Sequence, residues 1–484
     1  MVEASTVPDL VIRQATVIDG TGAPARVADV AVCGDRIVQV ADRIEARAAV
    51  EIDAKGQVLA PGFIDVHTHD DRVVIDDPIH LCKISQGVTT VVTGNCGVSL
   101  APLSLEQRPP PPLDLLSGDP RAFFARFADY LAYLSAEPAA VNVAAQVGHS
   151  TLRVATMSDL RRPATPDEIS AMRRLLDASL DAGAIGLSTG LFYRTADASS
   201  TEEVIAITEA MRGRPRALYT THMRNEADHI DESLRETFRI GRETGVPVVV
   251  SHHKCCGTRN FGRAPETLAL IDEANARHPT GLDVYPYDAA SSVLDVEKFS
   301  DASRIRISWS QAEPTAAGRD LAELAAERGL SMKAMADRLQ PAGGIYFMMD
   351  EADVQTILKH PRSMIGSDGL PSDTHPHPRL WGTFPRVLGH YSRDLKLFPL
   401  ETAVHKMTGM SARHFGLVDR GEIREGAFAD MVLFSADDII DTASFDAPAT
   451  PARGIRSVFV NGRKVYADGQ ATGARPGQVL RRPD

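Results

Sequence analysis

Through the middle of the chain, short apolar runs recur with polar residues gathered at their C-terminal ends. They read FIDVHTH, VTTVVTGNCG, VNVAAQVGHS, AIGLSTGLFY, ALYTTHMR, VPVVVSHHK, GLDVYPYDA and SMIGSDG. Each is short, rich in β-branched residues and bounded by turn formers, which predicts buried strands. Between them, DEISAMRRLLDASLDAG and SLRETFRIGRETG carry apolar residues at helical spacing and stop at glycine. Eight strand–helix units point to a (β/α)8 barrel of the TIM type, with a doubly wound sheet of six or seven strands as the alternative. Residues 291–344 are too long for a simple connection, and AAGRDLAELAAERG has helical pattern, so this stretch is expected as an insertion over the barrel mouth.

The two ends differ from the middle. DLVIRQATVID, VADVAVCGDRIVQVA and AVEIDAKGQVLAPG near the start resemble GEIREGAFADMVLFSADD and GIRSVFVNGRKVYADGQ near the finish. All are β-branched runs broken by Gly, Asp or Pro, and Asn461-Gly462 is a hairpin signal. One small sheet domain built from both ends is the economical reading. It assigns residues 1–61 and 417–484 to that domain and residues 62–416 to the barrel.

With 484 residues, 43% hydrophobic and 24% charged, the composition is that of an ordinary globular protein. Net charge is −12, which argues against nucleic acid or an anionic membrane as the main partner while leaving room for a local basic pocket. Five scattered cysteines (Cys33, Cys82, Cys96, Cys255 and Cys256) form no disulfide framework. The N-terminal MVEASTVPDL lacks a secretory h-region, and no apolar run reaches the roughly 18 residues of a membrane span. A soluble cytoplasmic protein is expected.

Candidate chemistry lies at the strand ends. His67 and His69 follow the first strand, Cys96 the second, His149 the third, His222 the fifth, His252 the sixth and Asp368 the last. Active sites of barrels form at this C-terminal rim. On a strand, His67 and His69 would project to one side as a pair of ligands. Cys96 lies between Gly94 and Gly97, which would let the backbone approach an ion that a thiolate could bind. In Ser251-His252-His253-Lys254, one histidine can face inward, and the residues alone do not say which. Asp368 could ligate a metal or move a proton near it. His149 is left outside the metal set, and the absence of C-x-x-C argues against a structural zinc site.

These motifs, with APGFIDVHTHDD, TGNCGVS, THMRNE, SHHKCCG, GSDGLP and HPHPRLWGTFPRVLG in order over nearly the whole chain, resemble the amidohydrolase superfamily. Within it they resemble the N-acyl-D-amino-acid deacylases. The resemblance implies a distorted (β/α)8 barrel beside a small β-sandwich of N- and C-terminal strands. It implies a tight Zn2+ on Cys96, His222 and His252, and a second, weaker metal position at His67, His69 and Asp368. It also implies that Lys254, Arg379, Tyr193 and Tyr285, with Ser291 nearby, hold a substrate carboxylate. The implied activity is zinc-dependent hydrolysis of a linear N-acyl-D-amino acid, with Asp368 carrying the proton from water to the leaving amine.

Cyclic amidases of that superfamily, the hydantoinases and dihydroorotases, resemble one another in a lysine ending strand four, which AIGLSTGLFY lacks. Family members preferring N-acyl-D-glutamate carry an arginine after the YPYDA strand, where this chain has Asp295. An aspartate there should repel acidic side chains, so neutral or basic ones are expected to be favoured. The rival readings are a cyclic-amide hydrolase, an isoaspartyl-type dipeptidase, and a zinc-binding scaffold without catalysis.

Overall fold

The computed structural model describes residues 7–482. Both ends of the chain enter one nine-stranded sheet. Leu10–Val17 pairs antiparallel with Arg26–Cys33 and parallel with Val50–Asp53 and Val58–Pro61. Val58–Pro61 pairs antiparallel with Met431–Phe434, which continues to Ile455–Val460 and Arg463–Ala467. Asn461 and Gly462 take φ of 48° and 75°, the left-handed pair that a tight hairpin requires. The expectation that the β-rich ends share a sheet is met.

The middle holds two parallel sheets. Phe63–Asp65, Val88–Thr93 and Asn142–Ala145 form one. Val147–Gly148, Gly186–Gly190, Leu218–His222, Val248–Val250, Thr280–Val284 and Ser363–Ile365 follow in order in the other. They meet at Gln146, and a parallel bridge from Thr68 to Gly369 links the first strand's extension to the last. These strands are buried on both faces, which explains their unbroken apolar character.

Helices cover them by ordinary rules. Pro166–Asp181 begins with a Thr165–Glu168 capping box and buries Met172, Leu176 and Leu180. Each of those side chains contributes roughly 1.5–3 kcal/mol of burial. Ile230–Thr244 stops at Gly245 in the left-handed conformation, φ 72°.

The strands are shorter than the apolar runs suggested. Val248–Val250 ends before Ser251, and Phe63–Asp65 ends before His67. The alternation argument for His67 and His69, and for one of His252 and His253 facing inward, is therefore corrected: these residues lie in turns past the strands. The insertion carries the helices Leu321–Glu327 and Met332–Leu339. It also contains an antiparallel sheet of Ala289–Val293, Ala342–Phe347 and Arg304–Ser310, which helical periodicity did not reveal. Among the described residues, no helix is long and apolar enough to cross a membrane.

Candidate metal centre

The turn after Val88–Thr93 is compressed between neighbouring strands. A Cβ on Gly94 would lie 2.2 Å from the Gln146 carbonyl oxygen, and one on Gly97 2.6 Å from the Gly190 nitrogen. With both glycines at positive φ (76° and 77°), the turn delivers Cys96 to the centre of the rim. Its Sγ is 3.2 Å from His67 Nε2 and 3.3 Å from His252 Nε2. His252 Nε2 is 3.0 Å from His222 Nδ1. Asp368 Oδ1 is 3.2 Å from His69 Nε2 and 3.5 Å from His67 Nε2. Ligand atoms of His67, Cys96, His252 and Asp368 all lie within 4.8 Å of one another, as do those of His222, Glu226 and His252.

All these residues are buried, so their charges interact strongly. Burial alone would raise the Cys96 pKa, but His67 and His252 outweigh it and hold the thiol well below its usual range. Burial likewise opposes ionisation of Asp368, yet Arg379 and His252 keep it well below the usual carboxylate value. Burial disfavours a charged His69, but its hydrogen bond to Asp368 and the nearby Cys96 raise its pKa to about 9. The cluster thus sets a thiolate and a carboxylate against imidazoles that share a proton load, an arrangement a divalent cation can replace. Thiolate, imidazole and carboxylate donors together suit zinc. Cys96, His252 and Asp368 have φ of 51°, 36° and 50°, left-handed values unusual for such residues and held here by the surrounding packing.

The expected site residues divide clearly. His252 points inward, whereas His253 Nε2 lies 2.8 Å from Thr267 Oγ1 on the opposite side. His149 lies 3.2 Å from Glu203 and outside the cluster. Lys254 Nζ is 2.9 Å from Glu226 and 2.8 Å from His252 Nδ1. Arg379 is wholly buried; its NH2 reaches Asp368 Oδ2 at 2.9 Å and donates to the Ser291 carbonyl at 3.2 Å. Its Nε and NH1 have no partner among the described residues, and neither has Ser291 Oγ. The Tyr285 ring lies 4.5 Å from the Arg379 guanidinium and 5.6 Å from Lys254 Nζ. Tyr193 packs 5.0 Å from the His222 ring, with its hydroxyl 3.2 Å from Ser292 Oγ.

Asp295 sits on a cavity of about 510 Å³ beside Phe192, Tyr193 and Leu294. Its carboxylate is 2.9 Å from Arg194 and accepts the main-chain N–H of Glu297 and Lys298, so its charge is partly offset.

Three buried residues escaped the sequence reading. Glu226 touches His252 Nδ1 at 3.1 Å and His222 Nε2 at 3.5 Å; its signal was the four-residue spacing in THMRNE. Asp283 is the one charged residue of the buried strand Thr280–Val284. Lys83 Nζ joins Asp65 at 2.7 Å to Ser367 Oγ at 2.8 Å, tying the turn before His67 to the loop of Asp368. Nothing in its local pattern distinguishes it from a solvated helix lysine.

Comparison with known proteins identifies relatives of this chain. Residues 50–337 and 274–466 match the family model described as amidohydrolase family. The chain is 55% identical to a D-aminoacylase of Alcaligenes xylosoxydans xylosoxydans, covering 98% of each chain. It is 53% identical to an N-acyl-D-aspartate deacylase of the same organism, over 99% of this chain and 96% of the other. A crystal structure of N-acyl-D-glutamate deacylase from Bordetella bronchiseptica, complexed with zinc and a phosphonate mimic of the tetrahedral intermediate, superposes with a TM-score of 0.95. That chain is 45% identical, with 98% of this chain and 100% of the other covered.

Proposed function

We propose, because the chain belongs to the N-acyl-D-amino-acid deacylases of the amidohydrolase family, that it hydrolyses the amide bond of N-acyl-D-amino acids in a zinc-dependent reaction. The products are a carboxylate and a free D-amino acid. The observation that carries this reading is the convergence of Cys96, His222 and His252 with His67, His69 and Asp368 at the ends of far-apart strands. Cys96, His222 and His252 would hold the tight ion; His67, His69 and Asp368 would border a weaker one. Zinc held there supplies Lewis acidity toward the scissile carbonyl and an attacking water.

The chain's own residues do the rest. Asp368, kept ionised by Arg379, accepts the proton of the attacking water and returns it to the departing amine nitrogen. Arg379 has unpaired N–H donors on NH1 that can serve a carboxylate, and Lys254 adds a second cation beside the Tyr285 ring. Tyr193 and Ser291 complete that wall, so the substrate is aligned by its carboxylate rather than by its reacting bond.

The parallel segments make eight strands when Asn142–Ala145 and Val147–Gly148 are counted as one strand interrupted at Gln146. With the Thr68–Gly369 bridge between first and last, they support a closed barrel spanning residues 62–416. Residues 1–61 and 417–484 then form the accompanying sheet domain, and the sheet of the insertion roofs the mouth. The fourth parallel strand, Gly186–Gly190, offers no lysine to bridge two metals, which favours linear over cyclic amides. Asp295 favours neutral or basic side chains, with Arg194 moderating that preference. The acidic net charge and the free cysteines support a cytoplasmic enzyme acting on small molecules.

The test is turnover of matched N-acetyl-D- and N-acetyl-L-leucine before and after chelation. Hydrolysis of the D-isomer, lost on chelation and restored by zinc, is expected; equal or greater turnover of the L-isomer overturns the assignment. Faster turnover of N-acetyl-D-glutamate than of N-acetyl-D-leucine removes the side-chain preference.

A further inference from the structure

We infer that Asp283 is a positioning residue that fixes two metal-holding histidines at once, setting the tautomer of His67 and pinning the turn that presents His252. Asp283 stands on Thr280–Val284, a strand otherwise apolar or glycine at its buried centre. One carboxylate oxygen, Oδ1, accepts the main-chain N–H of His252 at 2.8 Å and lies 3.3 Å from His67 Nδ1; Oδ2 lies 3.5 Å from the same nitrogen. The Asp283 carbonyl accepts the N–H of His253 at 2.8 Å, so both rungs of the turn hang on one residue.

Each contact has a consequence. A neutral imidazole carries one N–H and one lone pair. A carboxylate facing Nδ1 keeps the proton there and leaves the Nε2 lone pair toward Cys96, where an ion would be held. His252 has φ 36°, a backbone that a histidine does not hold unaided, and the bond from its N–H to Asp283 helps to hold it. The neighbouring loop makes room for this arrangement. A Cβ on Gly366 would come within 2.5 Å of His67 Cβ and 3.2 Å of Asp283 Oδ1.

The inference rests on the metal-holding reading of the site, and Asp283→Asn separates the two. The His252 N–H can only donate, so it claims the amide oxygen at the Oδ1 place, and that oxygen is uncharged and already engaged. The new NH2 group stands at the Oδ2 place, 3.5 Å from His67 Nδ1, so the charge that held the Nδ1 proton is gone. His67 answers by moving its proton to Nε2 and loses the lone pair it offered the metal. Zinc and cobalt affinity and stoichiometry, measured by competition with a chromophoric chelator, should show a 10- to 100-fold weaker second ion while the first stays bound. In a His67→Ala background the same substitution should cost nothing further.

Unchanged affinity and stoichiometry in a folded Asp283→Asn protein overturn the inference alone, as does a loss confined to thermal stability. A wild-type protein that takes up no divalent ion overturns the metal reading as well. An independent measurement needs no Asp283 variant. Wild-type protein with two equivalents of cobalt should show a hyperfine-shifted, slowly exchanging imidazole N–H that disappears in His67→Ala. Its absence with both ions bound refutes the assigned tautomer.

Discussion

Arg379→Lys probes how the substrate is held. Of the five guanidinium N–H bonds, those on NH2 serve Asp368 and the Ser291 carbonyl, while Nε–H and NH1 are buried without a partner among the described residues. Nε–H lies on the NH2 side of the guanidinium plane, so a carboxylate meets NH1 and gains a charge-assisted hydrogen bond of about 1.5–3 kcal/mol. Lysine keeps the charge but has no rigid planar donor at the NH1 place, so about 1.5–3 kcal/mol of alignment is lost. At about 1.4 kcal/mol per decade, kcat/KM should fall about 10- to 100-fold. The assay compares N-acetyl-D-leucine with an N-acetylated amine of the same shape lacking the α-carboxylate. The substitution should slow the first and barely alter the second. Values within threefold of wild type on the acid would refute the reasoning. An equal loss on both substrates would assign Arg379 to Asp368 alone.

Asp368→Asn should reduce turnover by about 10²–10⁴ with zinc still bound by metal analysis, and near-full activity would end its proton-carrying role. Gly97→Ala forces a Cβ to within 2.6 Å of the Gly190 nitrogen, so zinc affinity should drop at least about tenfold; unchanged affinity would show that the Cys96 turn tolerates the shift. Lys406 is buried with carbonyl partners at His360 and Ser363, and burial lowers its pKa from the usual 10.5 to about 7. The unfolded chain keeps that proton up to 10.5 and the folded chain releases it near 7, so this group makes stability rise with pH across the interval. Urea unfolding of metal-free Lys406→Met should show less of that rise than wild type, and parallel pH curves would contradict it.

The rim was legible because barrels place chemistry after buried strands, and buried strands are plain in an apolar run. His222 really does end its strand, at Leu218–His222. The other candidate ligands lie in turns, with Cys96, His252 and Asp368 in left-handed backbone that no periodicity encodes. Which of His252 and His253 faces the ion was open to residue-level reading for that reason. Glu226 and Asp283 were hidden differently. Their meaning depends on contacts with His252 and His67, from stretches distant in sequence, and a single acid in a motif looks like surface until those partners are known. The insertion was visible by length, while its strands were masked by the stronger helical pattern between them.

The pairing of Val58–Pro61 with Met431–Phe434 also governs the order in which the molecule can be assembled. On a ribosome, the earlier strand emerges long before its neighbour is translated, leaving one hydrogen-bonding edge open to water or to other nascent chains. Phe63–Asp65, which leads into His67, begins two residues after that edge. Vectorial synthesis therefore delays the final setting of the catalytic rim until the C-terminal strands have been made.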